Sequence, residues 1–333
     1  MKSTLEMSNK RSSPAPPDLS YYVPPELQHL GDLQSEIPRI AKDKHLTELI
    51  EAAVQQVPTT HDLYLRDARY IELPAEERVH LVLTSPPYWT LKEYRRTDGQ
   101  LGFISDYELF LRELDRVWSH CFRALVPGGR LICVVGDVCL SRRANDGRHT
   151  VVPLHASIQE HCRRIGFDNL APVIWYKIAN AKYEVENGSK FLGKPYEPNA
   201  VIKNDVEFIL MQRKPGGYRN PSPAKRMMSV ISERNHQEWF QQIWTGITGA
   251  STKDHPAPFP LELAERLIRM FSFAGDTVLD PFMGTGTTSA AASKWGRNSV
   301  GVEIDPQYFE MAYGRLAGSV ISLFPTATVR AFR

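Results

Sequence analysis

The sequence predicts an α/β domain in which a mainly parallel sheet lies between helix layers. Short apolar runs that end in polar or turn residues alternate with segments of 3.6-residue apolar period. Near the C-terminus, "VLDPFMGTGTT" reads as strand, glycine turn and helix start in direct succession. At 333 residues, 42% of them hydrophobic, the chain can form one large core, or one domain with an insertion.

Taken in order, residues 1–35 are rich in Ser and Pro without a clear period and predict a flexible or clamped N-terminal arm. Helix-like spacing begins with Ile37 to Val57. "DLYLRDA" (62–68) and "VHLVLTSPPYW" (79–89) are two short buried strands, each closed by polar or turn residues. "SDYELFLRELDRVWSHCFRALVPGG" predicts a helix, with Ser105 as the cap and Pro-Gly-Gly as the stop. There follow the strand "RLICVVGDV", the helix "VVPLHASIQEHCRRIGF", and two strands, "APVIWYKI" and "DVEFILMQR". Residues 178–204 and 213–254 have weak periodicity and read as insertions. The alternation then resumes with the helix "PLELAERLIRMFSF", the strand "DTVLD", the glycine turn, a helix over about 289–295 and the strand "NSVGVEID".

Forty basic and 38 acidic residues nearly cancel, so any polyanion-binding surface must be local. Residues 213–254 supply such a patch, with seven Lys or Arg against three acids, mixed with Tyr218, Trp239 and Trp244. "SRRANDGRH" (141–149) is a second basic loop. The four cysteines show no C-x-x-C pair and no zinc-type spacing with His, which predicts reduced thiols, no disulfide and no metal. No apolar leader or span-length apolar run occurs, so a cytoplasmic protein is expected.

In "VLDPFMGTGTT", Gly284 and Gly286 let the backbone approach a ligand, while the free N–H groups of the helix start favour an anionic group. Glu303 closes the next strand, 23 residues after Asp280, close to the distance at which an acid meets ribose hydroxyls in a nucleotide-binding βαβ unit. The loop lacks the third glycine of a dinucleotide fingerprint and the Gly-Lys-Ser/Thr of a P-loop, which argues against a hydride carrier and against ATP.

"TSPPYW" also follows a strand directly, so it can open onto the same crevice beyond the carboxyl ends of the sheet. A Pro-Pro-aromatic sequence by itself also fits a plain turn or polyproline stretch. Beside a cofactor loop it offers more. A nucleobase amine is a poor nucleophile because its lone pair is delocalised into the ring. The Ser85 hydroxyl and the Pro86 carbonyl could accept its hydrogens out of the ring plane, Pro87 adds rigidity without a competing N–H, and Tyr88 offers a stacking face.

Together "TSPPYW" and "DPFMGTGTT" resemble the catalytic and cofactor motifs of the DNA amino-methyltransferases that use S-adenosyl-L-methionine, and their order resembles the circularly permuted beta group. The resemblance runs from about Asp62 to Leu316. It implies a Rossmann-like methyltransferase fold with a mainly parallel seven-stranded sheet and a target-recognition insertion. Residues 36–212 would be the catalytic half, 213–254 the target-recognition region, 255–316 the cofactor-binding half and 317–333 a C-terminal tail. The implied catalytic residues are Ser85, Pro86, Pro87 and Tyr88. The implied cofactor set is Asp67, Thr84, Phe259, Pro260, Asp280, Phe282, Gly284, Gly286, Thr287, Glu303 and Ile304, with Asp67 and Ile304 at the adenine and Glu303 at the ribose. The family's usual glycine before Asp67 is Arg66 here.

Ser-Pro-Pro-Tyr, where adenine enzymes more often carry Asp, resembles the N4-cytosine type. The expected partner is double-stranded DNA, with a cognate restriction endonuclease on the same site and a monomeric or homodimeric enzyme. The alternatives are N6-adenine methylation on the same scaffold and a catalytically silent DNA-binding specificity partner. A C5-cytosine enzyme would need a nucleophilic cysteine, usually after proline, and here the cysteines follow His120, Ile132, Val138 and His161.

Overall fold

The computed structural model describes residues 18–28, 31–71, 78–90, 95, 97–177, 194, 204–249, 260–322 and 327–333. Eleven strands are assigned among them: β1 (Thr59–Leu65), β2 (Val79–Thr84), β3 (Leu125–Val135), β4 (Val138–Leu140), β5 (Thr150–Val152), β6 (Asp168–Tyr176), β7 (Val206–Arg213), β8 (Ile243–Trp244), β9 (Thr277–Asp280), β10 (Asn298–Glu303) and β11 (Ala327–Phe332). Nine form one sheet in the order β11-β1-β10-β9-β2-β3-β7-β6-β8, and β4 and β5 make a separate antiparallel hairpin. Within the large sheet only β7 runs against its neighbours, pairing antiparallel with β3 and β6. The predicted sheet thus gains two edge strands. The short β8 joins β6, and β11 joins β1.

The β11 pairing corrects the expectation of a C-terminal tail. Arg330 makes a two-pronged ion pair with Asp62 of β1, and Phe332 stacks on Tyr64 at 4.6 Å. A six-residue alternating strand needs only one exposed edge to add to, which periodicity within the segment does not reveal.

The helices are α1 (Leu33–Lys42), α2 (Lys44–Val54), α3 (Tyr107–Ala124), α4 (Leu154–Ile165), α5 (Pro223–Met227), α6 (Glu233–Trp239), α7 (Leu261–Phe271), α8 (Thr287–Lys294) and α9 (Pro306–Ser322). Helix α3 shows why the layers form. Phe110, Leu114, Val117, Trp118 and Cys121 recur at helical spacing and are all buried. Asp106, not Ser105, caps it by accepting from the Leu109 N–H at 2.6 Å. It stops at Ala124, and Pro127 disfavours helical backbone at Val126, so the chain enters β3 at Leu125. Along β2 and β3 the period of two sorts the core: Val82, Leu131, Cys133 and Val135 pack with α3 and α4. Leu81, Leu83, Ile132 and Val134 pack with α7 and α8 on the other face. Each such fully buried aliphatic side chain contributes about 2 kcal/mol of transfer free energy.

The segment expected as one helix over 37–57 divides at Asp43, which ends α1 with an extended backbone and caps α2 through the Leu46 N–H. The arm before it is not free along its length. Residues 18–27 form two 3-10 turns whose Leu19, Val23 and Leu27 are buried against Ile40, Met227, Met228 and Trp295. Of the two expectations for the arm, flexible or clamped, those residues follow the second: their three apolar side chains have no helical period, yet together they cover one apolar surface. Insertion 178–204 lies outside the described residues except for Lys194 and Asn204. Among the described residues, no helix is long and apolar enough to cross a membrane.

Candidate active site

The winding of the sheet reverses between β9 and β2. From β9 the chain passes through α8 to β10 on one side, while from β2 it passes through α3 to β3 on the other. Loops leaving such a switch point diverge to opposite faces and open a crevice at the carboxyl ends of the strands. A cavity lies there. It is lined from five directions. Asp67 and Ala68 follow β1, Ser85 and Pro87 follow β2, Gly99 to Leu101 form a side wall, Phe282 and Gly284 follow β9, and Glu303 and Ile304 close β10.

Glu303 is buried at the cavity wall. Its Oε2 accepts from the Gly284 N–H at 2.7 Å and its Oε1 from the N–H groups of Ile304 (3.0 Å) and Asp305 (2.9 Å). Burial pushes its titration up to about 7, against the lowering effect of these backbone donors. Three donors occupy three of roughly four lone-pair sites of a carboxylate, so one acceptor direction remains for a hydroxyl. Opposite, Arg69 fixes Asp67 by a 2.6 Å ion pair and reaches Glu113 with its other nitrogen at 2.5 Å. Gly99, at φ +85°, lies over this pair. A Cβ there would come within about 3.0 Å of Asp67, Arg69 and Ile304 at once.

Asp280 and Thr84 behave differently from the sequence expectation, because neither lines the cavity. Both are buried and bonded to each other. The Thr84 hydroxyl donates to Asp280 Oδ1 at 2.7 Å, the Thr288 hydroxyl to Oδ2 at 2.7 Å, and the Phe282 N–H to Oδ1 at 3.1 Å. Burial raises the Asp280 carboxyl to about 6. Asp280 therefore ties the end of β2, where the proline elbow begins, to the glycine loop. Gly286 caps α8 from the left-handed region at φ +81°, with Ala312 packed over it, and the Thr287 hydroxyl accepts from Arg315; neither residue lines the cavity. Pro260 caps α7 and is likewise absent from the cavity lining, whereas Phe259 falls outside the described residues.

The elbow contributes Ser85 and Pro87 to the cavity wall, while Pro86 is buried beneath them. Tyr88 is 4% exposed, and its hydroxyl points inward. It lies 3.1 Å from the Ser85 hydroxyl and 3.3 Å from both Glu207 Oε2 and the Val134 carbonyl. Stacking of a base on Tyr88 therefore requires one ring face to be uncovered as the base enters. Lys177 holds Glu207 Oε1 at 2.6 Å. Beyond β3, Asp137 accepts from His155, whose ring stacks on Phe208 at 3.8 Å. Glu207, Lys177, Asp137 and His155 were not singled out from the sequence. The signal available was positional: "GDV" puts an acid directly after an apolar strand at the carboxyl edge.

The basic segment 213–254 divides in space. Arg213 pairs with Asp168, Lys214 donates to the Leu125 carbonyl, and Arg219 and Lys225 both bind buried Asp276. Asp168, Leu125 and Asp276 all stand at the amino ends of β6, β3 and β9, the edge opposite the cavity. Within the expected target-recognition region, these four charges are thus paired at the edge of the sheet away from the cavity. Residues 243–249 do reach the carboxyl edge of the sheet, where Trp175 donates to the Ile247 carbonyl and the Gly249 N–H donates to the Lys177 carbonyl. The hairpin β4–β5 stands there too, between the end of β3 and the start of α4, with Arg143 and Arg148 exposed in its loop.

Comparisons with known proteins agree with this geometry. A family model described as DNA methylase matches residues 79–314. The type II methyltransferase M.MjaI of Methanocaldococcus jannaschii is 37% identical over 279 residues, covering 75% of this chain and 88% of its own. A crystal structure from Thermus thermophilus, described as a DNA modification methylase complexed with S-adenosyl-L-methionine, is 51% identical with a TM-score of 0.67, covering 82% of this chain and 98% of that one. The cytosine-N4-specific PvuII DNA methyltransferase shares the fold at a TM-score of 0.55 and 17% identity, covering 82% of this chain and 97% of that one.

Proposed function

The chain belongs to the DNA methylase family, and from that premise we propose that it methylates the exocyclic N4 amine of a cytosine flipped out of double-stranded DNA, within a type II restriction-modification system. DNA methyltransferase activity with S-adenosyl-L-methionine as donor is the family's chemistry. The base and the atom are the proposal. The cavity suits this donor: a buried carboxylate with one open acceptor direction for a ribose hydroxyl, apolar Phe282 and Ile304, and no lysine in the wall among the described residues. When bound, the cofactor supplies an electrophilic sulfonium methyl.

One observation carries the reading. Ser85 and Pro87 of the elbow line the same cavity as Glu303 and Ile304, so an amine held at the elbow lies beside the donor site. The Ser85 hydroxyl and the Pro86 carbonyl accept the amine hydrogens, and no covalent enzyme intermediate is needed. Serine in place of aspartate at the head of the elbow supports cytosine as the base.

The protein is incubated with unmethylated genomic DNA and labelled S-adenosyl-L-methionine, and the digested nucleosides are identified by mass spectrometry. N4-methylcytosine is expected. N6-methyladenine would overturn the base assignment while keeping cofactor and fold, and no labelled nucleoside would favour a catalytically silent DNA-binding partner. Full single-turnover transfer by the Ser85→Ala, Tyr88→Ala double variant would refute direct transfer at the elbow.

The DNA-facing surface in this proposal is the β4–β5 hairpin together with residues 243–249, because both stand at the carboxyl edge of the sheet, the edge onto which the cavity opens. Arg143→Ala and Arg148→Ala are each expected to weaken binding to all sequences alike and to lower the slope of log K against log salt by about 1. Arg219→Ala should leave that slope unchanged. Filter or anisotropy titrations between low and high salt measure both.

A further inference from the structure

We propose that Glu207, clamped by Lys177, is a positioning residue that sets the hydroxyl directions of Tyr88 and Ser85 so that Ser85 presents a lone pair to the target amine. The inference rests on amine methylation at the elbow and extends it to residues outside the Ser-Pro-Pro-Tyr motif.

Proton count sets the direction of this hydrogen-bond chain. The Ser85 and Tyr88 hydroxyls are 3.1 Å apart, and each carries one proton. Glu207 Oε2 and the Val134 carbonyl, each 3.3 Å from the Tyr88 oxygen, can only accept. The Tyr88 proton is therefore drawn toward these two acceptors, which leaves its oxygen to accept from Ser85. The Ser85 proton then points at Tyr88, away from the cavity that Ser85 lines, and both remaining lone pairs of Ser85 Oγ are open to N–H donors. With the chain reversed, Ser85 would meet the amine with its own proton and repel it.

Lys177 fixes the far end. It binds Glu207 Oε1 at 2.6 Å and lies over the Trp175 ring at 5.5 Å, while its backbone carbonyl accepts from Gly249. Glu207 is buried, its side chain 10% exposed, so water competes little for Oε2. Gly136 leaves the space: a Cβ there would come to 3.3 Å from the Glu207 side chain and 3.5 Å from the Tyr88 ring.

The test is single-turnover methylation of DNA by the full chain and by Glu207→Gln, Tyr88→Phe and the double variant, with the KM for DNA and the Kd for cofactor measured alongside. Each single variant is expected to slow transfer by roughly 10- to 100-fold with KM and Kd within about twofold of the parent, as for loss of an oriented hydrogen bond in a transition state. The double variant should be no slower than the slower single one, because both changes cut the same chain. Multiplicative losses, or a full rate in either single variant, would overturn the proposal. Tyr88→Phe keeps the ring and its packing, so it decides the matter even if Glu207→Gln disturbs folding. Transfer by the parent that Glu207→Gln retains defeats this inference alone. Absence of transfer by the parent to any DNA defeats the amine-methylation reading and this inference with it.

Discussion

Asp280→Ala is expected to lower the unfolding free energy by about 3 kcal/mol and to weaken cofactor binding at least tenfold, although Asp280 does not line the cavity. The side chain accepts three bonds, from the hydroxyls of Thr84 and Thr288 and from the Phe282 N–H. Alanine leaves these donors facing each other in a site that water does not reach. Their desolvation is then uncompensated, at roughly 1–3 kcal/mol for each group that finds no other partner. Thr288 has a fallback in the Leu83 carbonyl at 3.4 Å, which keeps the sum near the lower end. The cofactor effect follows from position. Phe282 and Gly284 line the cavity immediately after Asp280, and Ser85 lines it immediately after Thr84, so one carboxylate holds both walls in register. Asp280→Asn keeps the shape and one acceptor oxygen, and either threonine hydroxyl can rotate to accept from its amide, so a loss nearer 1 kcal/mol is expected. Urea unfolding and cofactor calorimetry on the two variants separate these outcomes. A loss under 1 kcal/mol for the alanine variant would show that the threonines find other partners.

The alternation of strands and helices, the glycine turn and the elbow were legible in the sequence because each is a local pattern: a period of two, a period of 3.6, or a run of turn residues. The place of Glu303 at the end of the next strand was legible for the same reason, since its distance from Asp280 is fixed by one strand-helix-strand unit, whereas Ile304 came from the family resemblance. Partners that arrive from afar were not. Glu207 reaches Tyr88 across 119 positions and Asp280 meets Thr84 across 196. Nothing in "DVEFILMQR" distinguishes an acid that binds a tyrosine from one on a solvated strand face. The basic segment 213–254 shows the converse. Its charge count was right, but count does not say which end of the sheet a charge occupies, and buried Asp276 draws Arg219 and Lys225 to the amino-terminal edge. Thr84 and Asp280 were placed at the cofactor by their neighbours in the motifs, whereas the structure turns their side chains toward each other.

Glu303, as the proposed ribose ligand, is expected to make cofactor binding depend on pH near neutrality. Burial raises its carboxyl to about 7, above an ordinary glutamate value near 4.3. For an acid raised in this way, the folded protein keeps a proton that the unfolded chain has released between roughly pH 4.3 and 7. Its contribution therefore favours folding at the acid end of that window and is lost as pH rises through it. Asp280, raised to about 6, acts in the same direction. Cofactor binding runs the opposite way. Glu303 accepts a ribose hydroxyl best as the carboxylate, because the Gly284, Ile304 and Asp305 N–H groups already occupy the other acceptor sites and a protonated oxygen would face a donor. Below about pH 7 the proton must leave before that bond can form. The cofactor Kd is expected to be flat above pH 8 and to rise toward tenfold per pH unit below 7, with close to one proton released on binding at pH 6. Calorimetry in two buffers of different ionisation enthalpy counts that proton. Glu303→Gln should bind weakly with no such slope between pH 6 and 8. A parent Kd that does not change over that range would mean that Glu303 is ionised throughout, with its three backbone donors outweighing the cost of burial.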